Sequence, residues 1–473
     1  MLQYFVASII LLFIILVDTE FITWKTFRKK RKELPGIRTI LDIIKWKVPL
    51  YWGLPNYIIL GRGEEYFGPV FQYKIGNSCT VAVNDIQVAR KVMSSPDCRD
   101  RLPEGHVLYE RSFNKPLGIL FGNGKNWAVS RDFAVKTLSN LGFGQGTAVE
   151  HCIATEMEDI LQKIEAIVQQ ECTFQPHGFF HVPTLNVLWN LIAGSRFSHN
   201  DQKLTELLKY FYKWNRSFNL GATALHAFPW LRHIPKLTEH DAWVNGHLKF
   251  SAFFKNIMEE RITKNNYLDD PNDFIDYYLR EMKWQNDSNN NEYFTEEQFL
   301  TVCTDLFMAG ADTTRTENLP SLVYKTRMPY TEATTAEILR HACVIPVTGR
   351  CPVRDMEINE CSITKGSIIG INIHGIHFSQ HIWSDPKVFR PERFLSAEGR
   401  IINQEKTLPF GYGKRKCLGE TTSRNTFFLF FTAMLQRYSF QLSPQHPKPS
   451  LEDVCGLSRA PKPYYVTVQK RSN

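Results

Sequence analysis

The sequence predicts a mainly α-helical protein with a minor β-sheet region and a membrane anchor at its N-terminus. Apolar residues recur with the 3.6-residue period of helices in several segments, around residues 150–170, 183–194, 203–214, 240–262 and 273–283. Residues 70–75 and 79–83 have the composition of short strands on either side of the Gly76-Asn77 turn. Residues 2–17 form an apolar run without a charge. Helices therefore dominate, and the sheet is small.

The composition is that of an ordinary globular protein. Of its 473 residues, 43% are apolar and 13% are aromatic, and the net charge is +8. This surplus is too small to argue for nucleic-acid binding, because no recognisable binding module accompanies it. The ten cysteines include no C-x-x-C pair, which argues against a disulfide scaffold and a structural zinc site and favours a reducing compartment.

Residues 1–24 are predicted to be a transmembrane signal anchor. A helix over residues 2–24 would be about 35 Å long, enough to span a bilayer. No basic stretch precedes the apolar run and no small-x-small cleavage site follows it, so we expect it to be retained. Six basic residues within 25–32 open a basic linker and hinge, residues 25–50, and place the rest of the chain in the cytosol. An amphipathic segment docked on the protein is the alternative.

Local signals mark the start of one long helix. Thr295 and Gln298 have the spacing of a capping box, and Phe294 and Phe299 stand at the positions of a hydrophobic staple. A helix is therefore predicted to begin at Glu296.

The same helix carries a polar cluster in residues 309–314, AGADTT. Threonines can bond back to carbonyl oxygens of the preceding turn and loosen a helix, which opens room for dioxygen or water. Taken alone, a plain helix with a polar kink is the simpler interpretation.

A glycine-rich loop, residues 409–420, contains Cys417 and precedes the apolar run 427–435, which is predicted to be a buried helix. The thiol would lie near the N-terminus of this helix, beside three basic residues, where its pKa is expected to be lowered. Such a thiolate is a nucleophile, a redox switch or a metal ligand.

The loop matches the pattern F-x-x-G-x-R-x-C-x-G at Phe410, Gly413, Arg415, Cys417 and Gly419. In this pattern the chain resembles the cytochrome P-450 monooxygenases, whose haem-binding loop has these residues. The resemblance extends to Lys470 and is strongest with the microsomal animal type, with the arthropod branch as one candidate. It implies the cytochrome P-450 fold for residues 51–473, as a single haem-thiolate monooxygenase domain, with heme b as cofactor and Cys417 as its axial ligand.

Further motifs follow the order of this family, and the resemblance assigns them roles. Asp312 and Thr313 are the expected catalytic residues, with Asp312 relaying protons and Thr313 hydrogen-bonding dioxygen. Glu337, Arg340 and Arg393 form the expected structural triad. The expected haem-binding residues are Trp127, Arg131, Arg350, Phe410, Gly411, Arg415 and Gly419. Arg354 is an alternative to Arg350, because the segment GRCPVRD departs from the usual pattern.

His374, His377 and His381 invite a zinc interpretation, but no carboxylate stands at the spacing of H-E-x-x-H. The resemblance makes them ordinary loop residues. Asn215 opens an N-x-S sequon, which would stay unmodified in the cytosol.

The resemblance implies a monooxygenase on the cytosolic face of the endoplasmic reticulum membrane, or microsome. It would insert one oxygen atom into a lipophilic small molecule by hydroxylation or epoxidation. Electrons would come from NADPH through NADPH-cytochrome P-450 reductase, with cytochrome b5 as a further donor, and Lys414 and Lys416 are candidates for docking the reductase. Pocket walls are expected from loops around residues 100–121, 215–229, 344–351 and 455–461. The rival interpretations are a haem-binding protein without catalysis and a thiol-based redox or anion-binding protein without haem.

One interval departs from the family. Only 22 residues lie between Thr314 and Glu337, whereas the family has about thirty more, enough for roughly 45 Å of helix. The helical pattern stops before Pro320, which cannot continue the hydrogen-bond ladder. We therefore predict an internal deletion between 314 and 337, as from a skipped exon, an alternative transcript or a gene-prediction error. A chain lacking these elements is expected to be unstable or to bind haem poorly.

Overall fold

The structure is a computed structural model that describes residues 34–37, 55–75, 78–143, 147–176, 178–198, 201–217, 225, 229–234, 240–289, 291–313, 325, 327–450 and 452–471. The predicted anchor, residues 1–24, and nearly all of the predicted linker, residues 25–50, lie outside these ranges. Within the ranges, none of the helices combines the length and the apolar character that a membrane crossing requires.

The described residues form twelve α-helices, which we number in chain order. They are α1 (Asn56–Phe67), α2 (Ile86–Ser94), α3 (Gly124–Asn140), α4 (Thr147–Gln170), α5 (His181–Ala193), α6 (Gln202–Ser217), α7 (His240–Lys264), α8 (Phe274–Asp287), α9 (Glu296–Thr313), α10 (Pro329–Ala342), α11 (Ile373–His377) and α12 (Glu420–Arg437).

The strands of the described residues form small sheets. They are β1 (Gly36–Ile37), β2 (Val70–Ile75), β3 (Ser78–Val83), β4 (Thr173–Phe174), β5 (Val347–Arg350), β6 (Met356–Ile358), β7 (Cys361–Ile363), β8 (Ile368–Asn372), β9 (Tyr438–Leu442), β10 (Asp453–Cys455), β11 (Arg459–Pro461) and β12 (Val466–Lys470). A mixed sheet has the order β1-β2-β3-β8-β5, an antiparallel sheet has the order β4-β12-β9, and β6–β7 and β10–β11 are hairpins. The predicted class, mainly α with a minor β-sheet region, is confirmed.

The main core lies between the helices and is rich in aromatic rings. Phe307 of α9 is fully buried, and its ring centre lies 5.4 Å from that of Phe250 in α7 and 5.7 Å from that of Trp189 in α5. A second apolar cluster covers the mixed sheet, where Val81 and Ile369 are fully buried. Helix α9 is therefore the central helix, and packing against α5 and α7 fixes its position.

Helix α9 begins at Glu296, as the capping signals predicted. The Thr295 hydroxyl accepts a hydrogen bond from the Gln298 backbone N–H at 3.2 Å. The Gln298 side chain, by contrast, reaches across to another segment and accepts from the Gly118 backbone N–H at 3.2 Å. Gln298, which donates its backbone N–H to the capping Thr295, thus also holds a distant loop with its side chain.

One buried carboxylate ties α10 to the segment that leads to the cysteine loop. Glu337 and Arg340 are fully buried and make a bidentate pair, with N···O distances of 2.7 and 2.8 Å. Oε1 of Glu337 also accepts from Nε of Arg393 at 3.1 Å and from the Arg390 backbone N–H at 2.8 Å. Glu337 is therefore the common acceptor for the triad and for the backbone of the following segment.

His377 extends this connection to the cysteine loop. It lies in α11, is fully buried, and its Nδ1–H donates to the Arg340 carbonyl oxygen at 3.1 Å. Its Nε2 accepts from the Leu408 backbone N–H at 2.8 Å, just before the loop. Burial lowers the pKa of His377 to about 3, so the ring is neutral. The expectation that this histidine is an ordinary loop residue is wrong, because it is a buried crosslink.

We expect Glu337→Gln to lower the free energy of unfolding by about 3 to 5 kcal/mol, because it leaves buried guanidinium groups without their counter-charge. Asp132→Asn is the matched control, since Asp132 pairs with Lys136 on the surface with 65% of its side chain exposed. It should cost less than about 1 kcal/mol. Urea unfolding of the full chain measures both, and equal losses would contradict the role of Glu337.

Candidate functional site: a cavity between the central helix and the cysteine loop

A cavity of about 490 Å³ lies between α9, the cysteine loop and the start of α12. Its lining combines an apolar wall with a basic edge. The apolar wall includes Leu108, Ile119, Phe121, Val187, Leu306 and Leu457. Three of the four loops expected as pocket walls contribute several residues each, in the ranges 100–121, 344–351 and 455–461. The predicted loop 215–229 contributes Asn215, and most of it lies outside the described residues.

Cys417 lines this cavity and is the one exposed cysteine, since the other nine are buried or half-buried. The loop geometry holds it in place. Its backbone N–H donates to the Phe410 carbonyl oxygen at 2.9 Å, and Gly419 caps the N-terminus of α12. Gly413 has φ +70°, and a Cβ there would lie 2.3 Å from the Met93 carbonyl oxygen. Only glycine lets the loop pass this close to α2.

The pKa of the Cys417 thiol is raised above its ordinary value, against the expectation from the sequence. Although Cys417 is exposed to the cavity, the protein that surrounds the sulfur on its other sides desolvates it, which raises the pKa most, and the Glu420 carboxylate raises it further. The Gly419 backbone N–H and the cations of Arg131 and Lys416 lower it, but their sum is smaller. A metal ion bound to this sulfur would favour the thiolate form.

The guanidinium of Arg415 is fixed at the basic edge of the cavity. Its Nε donates to the Arg99 carbonyl oxygen at 2.7 Å, and its Nη2 donates to the Gly122 carbonyl oxygen at 2.6 Å. It stacks on Trp127 with 3.6 Å between Cζ and the ring centre. Nη1 of Arg415 and Nε1 of Trp127 are buried and have no partner among the described residues.

Arg350 and Arg354 occupy different environments. Arg350 is buried, lines the cavity, and has no partner for its Nε among the described residues. Arg354 lies on the surface with 72% of its side chain exposed, where it pairs with Asp97 at 2.7 Å. Of the two candidates, the structure places Arg350 at the basic edge.

Arg101 completes this edge, and the sequence analysis missed it. Its Nη1 donates to the Thr348 hydroxyl at 2.5 Å, while its buried Nε has no partner among the described residues. Arg131 lines the same edge and donates to the Lys416 carbonyl oxygen at 2.5 Å. The residues around Arg101 give no sign that it belongs to this site. Its contact with β5, far away in the chain, brings it beside Arg350 and Arg415.

Burial lowers the pKa values of the arginines at this edge, and mutual repulsion adds to the effect for some of them. Burial, followed by repulsion from neighbouring arginines, lowers the pKa of Arg415 to about 9 and that of Arg101 well below its ordinary value. Burial lowers the pKa of Arg350 to about 10. Asp100 offsets part of the charge at Arg415. Several unpartnered N–H donors on buried cations fit an anionic group, and the forked geometry of arginine suits carboxylates such as haem propionates.

The other predicted site residues fall around the same cavity. Phe410, Gly411 and Gly419 line it beside Cys417, and Ala309 and Gly310 of α9 line it from the opposite side. Asp312 and Thr313 follow in the last turn of α9, but their side chains lie outside the described part of the structure.

Asp305 is a second residue that the sequence analysis missed. It lies in α9, lines the cavity, and is paired with the buried Arg111. Its Oδ2 accepts from the backbone N–H groups of Ile119 and Leu120, both at 2.8 Å. Asp305 therefore fixes the loop that forms one apolar wall. The sequence did contain a sign of this role, because an acidic residue on the buried face of a helix such as α9 needs a partner.

A mainly helical domain that presents an exposed thiol and unpartnered arginine donors to one apolar cavity has the features of a haem-thiolate protein. The sequence profile of the family described as Cytochrome P450 matches residues 59–317 and 315–468. The chain belongs to this family. It is thus a cytochrome P450 monooxygenase, an oxidoreductase whose cofactor is a thiolate-ligated haem.

Several relatives are similar over most of their length. Farnesoate epoxidase of Bombyx mori is 29% identical over 447 residues, which cover 88% of the chain and 89% of the relative. Probable cytochrome P450 305a1 of Drosophila melanogaster is 29% identical over 457 residues, with the same coverage. Cytochrome P450 2U1 of Homo sapiens is 28% identical over 460 residues, which cover 88% of the chain and 81% of the relative.

We expect Arg350→Leu to speed haem loss about tenfold, because it removes charge-assisted donors from the basic edge, where the haem propionates are expected to bind. Transfer of haem to apomyoglobin from the full chain measures this rate. Arg354→Leu is the matched control and should change the rate less than about twofold, since surface ion pairs contribute little. Equal rates for the two variants would contradict the assignment of Arg350.

Proposed function

We propose that this chain inserts one atom of dioxygen into a lipophilic small molecule, with electrons supplied from NADPH through a reductase. One observation carries the proposal. The same cavity joins the exposed Cys417, the unpartnered donors of Arg350 and Arg415, and an apolar wall formed by α9 and its neighbouring loops. A haem held between the thiol and the arginines would face the apolar wall, where a substrate would lie.

Each residue has a distinct part in this proposal. Cys417 ligates the iron, and Trp127, Arg350 and Arg415 bind the propionates. When bound, the haem supplies the oxygen chemistry, and the protein orients substrate and limits water. The Asp312 carboxylate passes protons from solvent toward the Thr313 hydroxyl in the last turn of α9.

The triad of Glu337, Arg340 and Arg393 has a structural part. Through its contacts it supports the segment before the cysteine loop. None of the three residues lines the cavity, so the triad would support the haem site from outside it.

The substrate is proposed to be lipophilic, because the wall opposite the basic edge is formed by aliphatic and aromatic side chains. The Bombyx relative is named for farnesoate, so an isoprenoid acid is the first compound to test. Steroids, fatty acids and foreign compounds form the comparison set.

We propose NADPH-cytochrome P-450 reductase as the electron donor, with cytochrome b5 as a further donor. Lys414 and Lys416 are exposed next to Cys417, and Lys416 pairs with Glu420 at 2.5 Å. An acidic partner would be steered to this basic loop.

The proposed location is the cytosolic face of the endoplasmic reticulum membrane, held by residues 1–24. Besides residues 1–24, a second contact with the membrane is supported by Trp230 and Ile234, whose side chains are 46% and 45% exposed. Large apolar side chains that are exposed together favour contact with a membrane.

The spectrum of the reduced carbon monoxide complex tests the ligand. The full chain should show the band for which the family is named, and Cys417→His should move it to the position seen in globins, because the thiolate is lost. Cys455→Ser is the matched control, since Cys455 also lines the cavity, and it should keep the band. An unchanged band in Cys417→His would rule out this ligand. NADPH-dependent conversion of farnesoic acid then tests the activity.

An unstable truncated variant of such an enzyme is the second candidate. The two stretches that match the family overlap at residues 315–317, within the short interval. This break supports an internal deletion between 314 and 337. Each Å² of apolar surface that the missing helices leave uncovered costs about 25 cal/mol. The summed cost is large compared with a total free energy of unfolding of about 5 to 15 kcal/mol.

Restoring the interval tests this candidate. We expect insertion of the corresponding segment of the Bombyx relative after Thr314 to raise the haem content per chain several-fold. A Gly/Ser insert of equal length is the control, because it restores length without an apolar helical face. Equal haem content and turnover in all three chains would show that the interval does no damage.

A further inference from the structure

Asn123 immediately precedes α3, at the position where the N-terminus of a helix is normally capped. Asparagine is favoured there because its side-chain oxygen can accept a hydrogen bond from a backbone N–H of the first turn. Asn123 makes no such hydrogen bond. Instead, the Asp100 carboxylate accepts from the Gly124 backbone N–H at 3.0 Å. The side-chain amide of Asn123 is therefore free to bind elsewhere.

This amide binds two segments that precede α3 in the chain. Its Oδ1 accepts from the Arg101 backbone N–H at 2.9 Å, and its Nδ2 donates to the Leu102 carbonyl oxygen at 2.8 Å. Nδ2 also donates to the Tyr109 hydroxyl at 2.7 Å. Three hydrogen bonds thus hold residues 101–102 and the 3₁₀ segment Val107–Ser112 against the start of α3.

Tyr109 makes this contact specific for an amide. Its buried hydroxyl accepts from Asn123 and donates to the Leu102 carbonyl oxygen at 3.1 Å. Burial raises the pKa of Tyr109, so the hydroxyl keeps the proton that it donates. An ionised aspartate in place of Asn123 would lack both N–H donors.

The segments that Asn123 joins carry residues of the basic edge. Arg101 belongs to the first segment, and its Nη1 donates to the Thr348 hydroxyl of β5. Trp127 lies one turn into α3, where its backbone N–H donates to the Asn123 carbonyl oxygen at 3.1 Å. The backbone and the side chain of Asn123 therefore connect Arg101 to Trp127.

Arg415 of the cysteine loop spans the same junction. Its guanidinium donates to the carbonyl oxygens of Arg99 and Gly122. Gly122 directly precedes Asn123 in the chain, and Arg99 lies in the loop that Asn123 holds. The two carbonyl groups are within reach of one guanidinium only while the Asn123 contact keeps the two segments at this spacing.

We infer that Asn123 is a positioning residue that sets the spacing between Arg101 and the stacked pair of Arg415 and Trp127 at the basic edge of the cavity. Asn123 does not line the cavity, so it acts on haem propionates only through these residues. Without its amide, residues 99–102 move away from α3, and the donors no longer meet the propionates together. The inference rests on the proposed function, which assigns the propionates to this edge.

Transfer of haem to apomyoglobin tests the inference in the haem-loaded full chain. Asn123→Ala should speed haem loss about tenfold, because the hydrogen bonds that hold the edge together are lost. Tyr109→Phe should have a smaller effect of the same kind. Because the two side chains bond each other, the double variant should speed haem loss by less than the product of the two single effects.

Asn186→Ala is the matched control. Asn186 is a buried asparagine of α5 that binds the backbone of Phe197 as donor and acceptor, at 3.0 and 2.9 Å, and lies outside the cavity lining. Its loss should lower the free energy of unfolding but change the rate of haem loss less than about twofold. Equal rates of haem loss in Asn123→Ala and Asn186→Ala would overturn the inference.

Resonance Raman spectra of the ferric haem separate positioning from a general loss of stability. The bending bands of the propionates move to lower frequency when hydrogen bonds to the propionates weaken. Asn123→Ala should shift these bands, whereas Asn186→Ala should leave them in place. Bands that stay unshifted in Asn123→Ala would show that the residue has only a structural part.

Backbone hydrogen exchange tests the positioning without haem. The amides of Gly124 and Cys351 donate to Asp100, at 3.0 and 2.8 Å, and not to Asn123. Both should exchange faster in Asn123→Ala than in Asn186→Ala, because the loop that carries Asp100 loosens. Unchanged exchange at both amides would overturn the inference. A chain that binds no haem but shows the faster exchange would contradict the proposed function and leave the positioning role supported.

Discussion

The buried Glu337 carboxylate is the interaction on which the site depends. Glu337 lies on α10 and accepts hydrogen bonds from the side chains of Arg340 and Arg393 and from the backbone N–H of Arg390. A buried carboxylate is costly unless its lone pairs are satisfied, and here four donor groups satisfy them. Because two of these donors belong to the segment before the cysteine loop, the energetic demand of one carboxylate fixes the course of that segment.

The connection continues from the carboxylate to the loop by hydrogen bonds. Arg340 donates through Nη1 to the carbonyl oxygen of His377 at 2.7 Å, and the ring of His377 accepts from the backbone of Leu408. Its low pKa keeps the ring neutral, so Nε2 stays an acceptor across the physiological range. The loop that carries Cys417 thus begins at a point held by buried polar contacts.

At the basic edge of the cavity, by contrast, buried charged groups keep hydrogen-bond donors that no described residue satisfies. Arg101, Arg350 and Arg415 are brought together in a buried place, and each keeps N–H donors without a partner in the described part of the chain. Their lowered pKa values express the cost of this arrangement. Native proteins seldom leave such groups unsatisfied, so the cluster is best explained by the anion that it would bind.

The sequence indicated much of the fold and the site, because those signals are local. Periodicity gave the helices and strands, the Thr295 side chain announced the start of α9, and the spacing around Cys417 marked the loop. It was wrong about the thiol pKa, since burial outweighs the nearby cations and helix N-terminus. It also could not place Arg101 or Asp305, because each acts on a segment far away in the chain.

The sequence by itself determined the helical class, the family and the residue types that surround the cysteine. Only the tertiary structure decided that Arg350 rather than Arg354 faces the cavity, and that His377 is a buried crosslink. Residue type and spacing fix what a side chain can do. Burial and long-range packing fix whether it meets solvent, a counter-charge or the cavity, and these depend on segments that lie hundreds of residues apart in the chain.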